Sequence, residues 1–341
     1  MRKRLVALAG AAAGVAAAGL AAERAVVKRR RRADPEATAG FGERRGERSR
    51  TITLDDGAQI FVEEVGPKSK SGVIFIHGSA LRTDVWYYQM AGLGGRRLIF
   101  YDMRGHGRSY PSGRDDYSVP RLARDLEAII EDCGLEEVVV VGHSIGGMTA
   151  LELGGLKPEL LGDSIKGFTL VNATYTVPME TIAGGAALAR LERMIRRPFD
   201  FFGQQSSRID TLRKLVRPSD ALFWSVSFIA FGPHASAKQI DYTYDMVAET
   251  KSDTIFDLFK AYRDFDMTDR LSDITVPVLI VTGIHDRITV PAASRFIADN
   301  LPKAELEIFD DCGHMAMMER HEEFNALLKR FLDDTLGKKK K

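Results

Sequence analysis

Short apolar runs alternate with amphipathic segments along most of the chain, which is typical of a layered α/β protein. The clearest run is Val138–Val141, four consecutive β-branched residues that predict a buried strand. The clearest helix is 119–132, which Ser118 can cap and Gly134 ends. Strands are predicted at 51–54, 60–65, 73–76, 98–102, 138–142, 168–172, 277–282 and 305–309. The alternation predicts a mostly parallel, eight-stranded sheet with flanking helices.

A serine between glycines follows the clearest strand. The segment Gly142–Gly146 reads Gly-His-Ser-Ile-Gly and leads into an apolar stretch that predicts a helix. A strand, a sharp turn and a helix form the context in which a Gly-x-Ser-x-Gly motif presents a nucleophile beside helix N–H groups. A Cβ at either glycine would crowd the turn or the helix behind it. The pattern predicts Ser144 as a nucleophile, and the alternative is a serine that only caps a helix.

A serine nucleophile needs a base and a residue that orients the base. Asp286 follows the apolar run 277–282, so it is predicted to lie on a loop at the carboxyl end of a strand, where sites in open α/β sheets occur. His314 follows the alternating strand 305–309 on another such loop. Cys312 is interpreted as a small packed residue rather than as an alternative nucleophile. The predicted triad is therefore Ser144, Asp286 and His314.

Two further glycine-containing segments follow predicted strands. The segment Phe75–Ser79 contains His-Gly-Ser, and Asp102–Ser109 reads Asp-Met-Arg-Gly-His-Gly-Arg-Ser. Together with the serine turn and the acid after a strand, they resemble the α/β-hydrolase superfamily over about residues 51–335. The likeness is to a serine esterase- or lipase-like branch with a lid, because branches with an aspartate nucleophile differ at the turn. The resemblance implies an oxyanion hole formed by the backbone N–H groups of Ser79 and Ile145.

Residues 175–265 interrupt the alternation of strands and helices between the sixth and seventh strands. This segment is predicted to be a helical lid inserted into a core made of 51–174 and 266–337. It carries 14 aromatic residues in 91. These side chains either form a small core within the lid or line an apolar acyl pocket that faces the serine, and both can hold. They include Phe199, Phe201, Phe202, Phe223, Trp224, Phe228 and Phe231.

The amino terminus is predicted to be a membrane segment. Leu5–Ala22 contains no charged residue, and a denser basic cluster follows it at Lys28–Arg32. The positive-inside rule places that cluster in the cytoplasm, so residues 1–50 are interpreted as an anchor or signal-like segment plus a basic linker. The catalytic body is expected to be cytoplasmic and associated with a membrane. The alternatives are export and a soluble or loosely bound arm.

Charge is distributed unevenly along the chain. Residues 51–337 carry 31 Lys and Arg against 42 Asp and Glu, whereas the first fifty residues and the basic tail 338–341 are positive. Both ends could favour an anionic lipid surface, and no fold feature supports nucleic-acid binding. Neither a Cys/His spacing nor a dinucleotide loop is present, so no metal and no organic cofactor are expected. The two cysteines are too few for a disulfide framework, and the oligomeric state is left open.

Three classes of function remain after the sequence analysis. The first is a carboxylic ester hydrolase acting through an acyl-enzyme on small apolar or lipid-like esters. The second uses the same triad for carbon–carbon bond hydrolysis or for a cofactor-free perhydrolase reaction. The third is a non-catalytic binding protein with the hydrolase fold. The filled triad favours the enzyme classes, and the first is the predicted function.

Overall fold

The computed structural model describes residues 22–113, 116–177 and 220–338, together with Thr181, Ile182, Ser206 and Asp210. The strands are β1 (Arg48–Thr53), β2 (Gln59–Val65), β3 (Ser71–Ile76), β4 (Arg97–Tyr101), β5 (Glu137–His143), β6 (Ile165–Val171), β7 (Val278–Gly283) and β8 (Ala304–Phe309). The helices are α1 (22–32), α2 (Tyr87–Gly92), α3 (Val119–Asp132), α4 (Ile145–Leu156), α5 (Asp220–Ala230), α6 (Ala237–Glu249), α7 (Ser252–Ala261), α8 (Pro291–Asn300), α9 (Ala316–Glu319) and α10 (His321–Leu336).

The eight strands form one sheet in the order β1-β2-β4-β3-β5-β6-β7-β8. Strand β2 pairs antiparallel with both β1 and β4, and all other pairs are parallel. The predicted mostly parallel, eight-stranded sheet is confirmed, although β1, β3 and β6 begin two or three residues earlier than predicted. The carboxyl ends of β5 to β8 lie at one edge of the sheet because these strands are parallel neighbours.

Alternate residues of the central strands pack on opposite faces of the sheet. Val138 and Val140 contribute to a core with α3, α4 and α8, whereas Val139 and Val141 contribute to a core with α2 and α10. All four side chains are fully buried. A central parallel strand therefore reads as a continuous apolar run, since each of its faces is covered by helices.

Helix α3 has the bounds that the sequence predicts. The hydroxyl of Ser118 accepts a hydrogen bond from the Arg121 N–H at 3.3 Å, which satisfies one of the free donors at the start of the helix. Gly134 follows the helix with φ of 60°, a conformation that glycine adopts without steric cost. The cap and the terminating glycine thus set the two ends.

Helices α5, α6 and α7 lie in the second half of the segment predicted to be a lid. Phe223 and Phe231 of this region are each 1% exposed, whereas Phe228 is 64% exposed. The aromatic residues of the lid are thus not equivalent: part of them form a core, and at least one faces outward. Phe199, Phe201 and Phe202 lie outside the described residues, and the lid boundaries stay a prediction.

Residues 22–47, here called the N-terminal arm, pack against the body of the protein. Phe41 lies among Tyr87, Tyr88 and Tyr242, with ring centroids at 5.0, 5.6 and 5.2 Å. The tyrosines belong to the region of α2 and to α6, so the arm touches both the core and the predicted lid. The sequence analysis interpreted this region as part of a basic linker, and in the structure Phe41 anchors it to three tyrosines.

Polar contacts also fasten the arm to the lid helices. Arg31 forms a bidentate pair with Asp241 of α6 at 2.7 and 2.8 Å and reaches Asp220 of α5 at 3.3 Å. The carboxylate of Asp34 accepts hydrogen bonds from the Ser236 hydroxyl at 2.9 Å and from the backbone N–H of residue 238 at 2.6 Å. The basic cluster is thus partly neutralised by acidic side chains of the same chain.

The predicted membrane segment is wrong. Across the described residues, no helix is both long enough and apolar enough to cross a bilayer, and most of Leu5–Ala22 lies outside those residues. The basic cluster lies in α1, and Val27 of this helix is fully buried against the body of the protein. The basic side chain of Arg31 pairs with acidic groups of the protein. We therefore correct three predictions, namely the transmembrane segment, the membrane localisation and the membrane surface as a partner.

Replacement of Phe41 by alanine tests the packing of the arm. Phe41→Ala removes a buried ring from three aromatic neighbours, and we expect it to lower the free energy of unfolding by about 3 kcal/mol. The matched control Phe228→Ala removes an exposed ring and should cost less than about 1 kcal/mol. Urea unfolding followed by tryptophan fluorescence measures both. Equal midpoints for the two variants would contradict a packed arm.

Candidate active site

Ser144 occupies a strained turn between β5 and α4. Its backbone has φ of 54° and ψ of −118°, a region that non-glycine residues rarely adopt. A Cβ on Gly142 would lie 2.3 Å from the carbonyl carbon of Gly146, and a Cβ on Gly146 would lie 2.4 Å from the Ile76 oxygen. The two glycines therefore let the start of α4 approach β3 and β5 closely, for the steric reason predicted from the sequence.

The three predicted triad residues lie at the same edge of the sheet. Ser144 follows β5, Asp286 follows β7 and His314 follows β8. Nδ1 of His314 lies 2.9 Å from Oδ2 of Asp286, and both side chains are buried. Ser144 itself is half-buried. The structure thus joins the predicted acid to the predicted base, and the assignment of Ser144 as the nucleophile of a triad stays a proposal.

The carboxylate of Asp286 is held ionised by its neighbours. Burial alone would raise its pKa, but His314, the Thr289 N–H and the Asn172 amide lower it below the usual value. Oδ1 accepts hydrogen bonds from the N–H groups of Ile288 and Thr289 at 2.8 and 2.9 Å. Oδ2 accepts from the Asn172 amide and the Thr289 hydroxyl, each at 2.8 Å. An acceptor-only Asp286 fixes the proton of His314 on Nδ1 and leaves Nε2 free to act as a base.

The predicted oxyanion residues flank the serine turn. As the first residue of α4, Ile145 has no intrahelical acceptor for its N–H. Ser79 follows β3, and in the paired strands β3 and β5 Ile76 lies opposite Gly142. Ser79 and the serine turn therefore leave the sheet at the same position along the two parallel strands. Their assignment as oxyanion donors stays a proposal.

Two buried histidines hold the loop that carries Ser79. Nε2 of His106 accepts the Ala80 N–H at 3.1 Å, and Nε2 of His77 accepts the Met103 N–H at 2.9 Å. Their Nδ1 atoms lie 2.9 and 2.8 Å from backbone oxygens, so each ring is a neutral Nδ1–H tautomer. Burial lowers the pKa of His77 to about 4 and that of His106 to about 3. The two rings hold the loop through fixed hydrogen bonds and do not carry protons.

His143 links the serine turn to the histidine loop. Its Nε2 lies 2.9 Å from the backbone oxygen of His314, so this nitrogen carries the proton and donates. The two ring centroids are 4.8 Å apart. Burial and the proximity of His314 lower the pKa of His143 to about 3. The residue before the nucleophile therefore orients the backbone of the candidate base.

The Asp102–Ser109 segment supports the loop that carries Ser79. The Asp102 carboxylate accepts the N–H groups of Thr83 and Arg108 at 2.7 and 2.8 Å. Arg104 is 1% exposed and forms a bidentate pair with Asp125 of α3 at 2.6 and 2.7 Å. These bonds fix the loop that supplies His106, so the charged residues of the motif act on the site only through its backbone.

Three residues near the triad are absent from the sequence analysis. Asn172 follows β6 with φ of 47° and bonds both Asp286 and the Gly313 oxygen. Thr289 bonds the same carboxylate. Glu319 accepts backbone N–H groups on the histidine loop. Asn172 could have been found, because a polar residue directly after a buried strand reaches the same edge as the triad.

Cys312 and a second histidine next to the acid, His285, take no part in the contact between Asp286 and His314. Cys312 is fully buried, and burial beside Glu319 and Asp286 raises the pKa of its thiol well above the usual range. This is the environment of an inert packed cysteine. The His285 side chain is 39% exposed and lies 3.9 Å from Asp311. Among the described residues, no group of three or more His, Cys, Asp or Glu side chains is arranged to hold a metal ion.

The chain belongs to the alpha/beta hydrolase fold family, whose model matches residues 73–321. It is similar to the proline iminopeptidase of Saccharolobus solfataricus, with 26% identity over 78% of this chain and 86% of that protein. It is also similar to a non-heme chloroperoxidase of Streptomyces lividans, with 29% identity over 80% and 95% of the two chains. Among solved structures, a putative aryl esterase from Burkholderia cenocepacia superimposes with a TM-score of 0.68 at 25% identity, over 85% of this chain and all of the other. The fold class predicted from the sequence is confirmed, and the protein is an enzyme of the hydrolase class.

The buried histidines predict a loss of stability in acid. His77, His106 and His143 have pKa values of about 4, 3 and 3 in the folded protein, against 6.5 for ordinary histidine. The unfolded chain therefore binds more protons between about pH 6.5 and 4, so stability falls as the pH is lowered through this range. Each histidine contributes up to about 1.4 kcal/mol per pH unit. Glu319 has the opposite effect on stability. Its pKa is raised to about 7 in the folded protein, so the folded state binds one proton more tightly than the unfolded chain does.

Urea unfolding at half-unit steps from pH 7.5 to 4.5 measures this dependence. We expect the free energy of unfolding to fall steadily below pH 6.5. A free energy that is constant or that rises toward pH 4.5 would show that these rings are not held neutral.

Proposed function

We propose that the protein is a serine hydrolase that cleaves carboxylic esters with apolar or lipid-like acyl groups. Ser144 is the nucleophile, His314 the base and Asp286 the residue that orients the base. The N–H groups of Ile145 and Ser79 are the proposed oxyanion donors. The observation that carries the proposal is the buried Asp286–His314 pair at 2.9 Å beside a serine held at φ of 54°.

The chemistry follows from these positions. Ser144 Oγ attacks the acyl carbon while Nε2 of His314 takes its proton, and the negative charge develops on the former carbonyl oxygen. The alcohol leaves with the proton returned by His314, and an acyl-enzyme remains. Water then attacks in the same way and releases the acid. Asp286, held ionised, stabilises the imidazolium that forms twice in the cycle.

Two observations support an ester with an apolar acyl group. The B. cenocepacia structure superimposes over its whole length and is named a putative aryl esterase. The predicted lid carries exposed apolar surface at Phe228 and Ile229, which are 64% and 49% exposed. This surface lies in the insertion between β6 and β7, and Phe228 contacts Arg287, the residue that follows Asp286.

Substitution of the triad tests the proposal. We expect Ser144→Ala to lower kcat on aryl esters by a factor on the order of 10⁶ and Asp286→Asn by about 10⁴, because the serine forms the covalent bond and the aspartate sets the tautomer. His314→Gln should abolish turnover, whereas the matched control His285→Gln should leave it near the wild-type level. Spectrophotometric release of the aryl alcohol measures all four variants. Turnover that persists in Ser144→Ala would contradict the proposal.

Acyl chain length tests the proposed substrate class. If an apolar pocket receives the acyl chain, each added methylene buries further area worth about 0.8 kcal/mol, or about fourfold in kcat/KM. We expect kcat/KM to rise from acetyl to hexanoyl aryl esters in that proportion until the pocket is full. The same leaving group is kept throughout the series as the control. A maximum at acetyl would exclude an acyl pocket of this kind.

A cofactor-free perhydrolase is the second candidate, favoured by the similarity to the S. lividans chloroperoxidase over 95% of that chain. In this reaction hydrogen peroxide replaces water in attacking the acyl-enzyme and releases a peracid. Acetate with hydrogen peroxide, followed by bromide oxidation, provides the test. Two further substrates complete the panel. One is a substrate for carbon–carbon bond hydrolysis, and the other is an N-terminal prolyl arylamide, whose bond is suggested by the name of the S. solfataricus relative. Absence of Ser144-dependent turnover on every substrate would favour a binding protein.

A further inference from the structure

The carboxylate of Glu319 binds both sides of the candidate base. Oε1 accepts the N–H groups of Gly313 at 2.9 Å and of Met315 at 3.3 Å, the two residues that flank His314. Oε2 accepts the N–H of Gly232 at 2.7 Å. Gly232 lies directly beyond α5, where the chain leaves the first of the described lid helices. A single side chain at the end of α9 thereby joins the histidine loop to the predicted lid.

The histidine loop and the lid exit are in direct backbone contact. The N–H of His314 donates to the Ala230 oxygen at 2.8 Å. A Cβ on Gly232 would lie 2.5 Å from the Asp311 oxygen, and a Cβ on Gly313 would lie 2.4 Å from the carbonyl carbon of Phe231. Because the two backbone segments are packed this closely, neither can shift unless the other moves with it.

The Glu319 carboxylate is stabilised by backbone dipoles rather than by a cation. Within the described part of the chain, no lysine or arginine forms an ion pair with it; its neighbour Arg320 pairs with Glu323 at 2.5 Å and donates to the Asp310 oxygen at 2.9 Å. Desolvation raises the pKa of Glu319 to about 7, although the bonded N–H groups of residues 232, 313 and 315 act in the other direction. The group therefore changes its charge in the range where the enzyme is expected to work.

A cavity of about 580 Å³ lies beside Glu319. The side chain is half-buried and lines this cavity. The titratable and charged groups around it on all packed elements are Cys312, Asp286 and His314 on the triad loops, Asp311 and Arg320 beside it, and Arg30, Asp34, Glu36 and His234 on the arm and lid exit. The Cys312 thiol, at 3.8 Å, stays protonated and donates to the same carboxylate.

We propose that Glu319 is a positioning residue that fixes the His314 loop against the lid exit and releases it on protonation. The inference rests on the proposed function. An ionised carboxylate accepts all three N–H bonds, and charge-assisted bonds are about twice as strong as neutral ones. A protonated carboxyl carries an O–H donor and accepts weakly, so part of the restraint on His314 is lost. Activity therefore falls as Glu319 is protonated, because the loop that carries His314 loosens.

Glu319→Gln mimics the protonated group at every pH and provides the test. A displacement of up to 1 Å costs up to about 10²-fold in rate, so we expect kcat at pH 8 to fall between about tenfold and 10²-fold with KM little changed. At pH 5.5, where wild-type Glu319 is itself protonated, the ratio of wild-type to variant kcat should approach one. Glu319→Asp keeps the charge and should recover part of kcat at pH 8. The exposed neighbour Glu323→Gln is the matched control and should follow the wild-type profile.

The profile is measured from pH 5 to 9 on an aryl ester, with Ser144→Ala as the blank. A ratio of wild-type to Glu319→Gln that is the same at every pH would overturn the inference, because a merely structural defect gives a constant factor. Wild-type turnover that does not depend on Ser144 would instead overturn the proposed function.

A second measurement does not depend on activity or on the glutamine variant. Carbon-13 NMR of glutamate-labelled protein should show one carboxyl titrating near pH 7 that disappears in Glu319→Asp. A Glu319 resonance that titrates near pH 4.5 would also overturn the inference.

Discussion

The close approach of α4 to the centre of the sheet is the constraint on which the rest of the site depends. It requires glycine at residues 142 and 146, where a Cβ would meet backbone atoms at 2.3 and 2.4 Å. Once α4 starts there, the residue between strand and helix has no unstrained conformation available, and Ser144 takes φ of 54°. Packing of the sheet and helix holds this strain in place, so the reactive geometry is a property of the core and not of the loop alone.

Around this turn, neutral histidines and ionised carboxylates have separate tasks. His77, His106 and His143 are deeply buried and orient backbone segments as neutral rings. Asp286 is equally buried but stays ionised because five hydrogen-bond donors surround it. Burial has opposite consequences in the two cases because the histidines meet backbone groups that a neutral ring can satisfy, whereas the carboxylate meets donors only.

The sequence was informative where local pattern and chemistry coincide. The apolar runs predicted the sheet, and the glycines around Ser144 predicted the turn, because each depends on residues adjacent in the chain. Asn172 and Glu319 were not found, since their roles arise from contacts over 114 residues and between two loops. The packing of the N-terminal arm was not predicted for the same reason, because Phe41 contacts tyrosines that are distant in the chain. Hydrophobicity of Leu5–Ala22 predicted a membrane segment that the described helices do not support.

The arm also bears on the order in which the protein is made. Arg31 and its partner Asp241 are 210 residues apart, and a ribosome adds about 5–20 residues per second. For about 10 to 40 seconds the nascent chain thus carries Arg31 without its partner on α6. Contacts of such separation form late, since a long loop must close before they can stabilise anything. Helix α1 is therefore among the last elements to dock, and its pairing with Asp220 and Asp241 requires that the lid helices α5 and α6 have already formed.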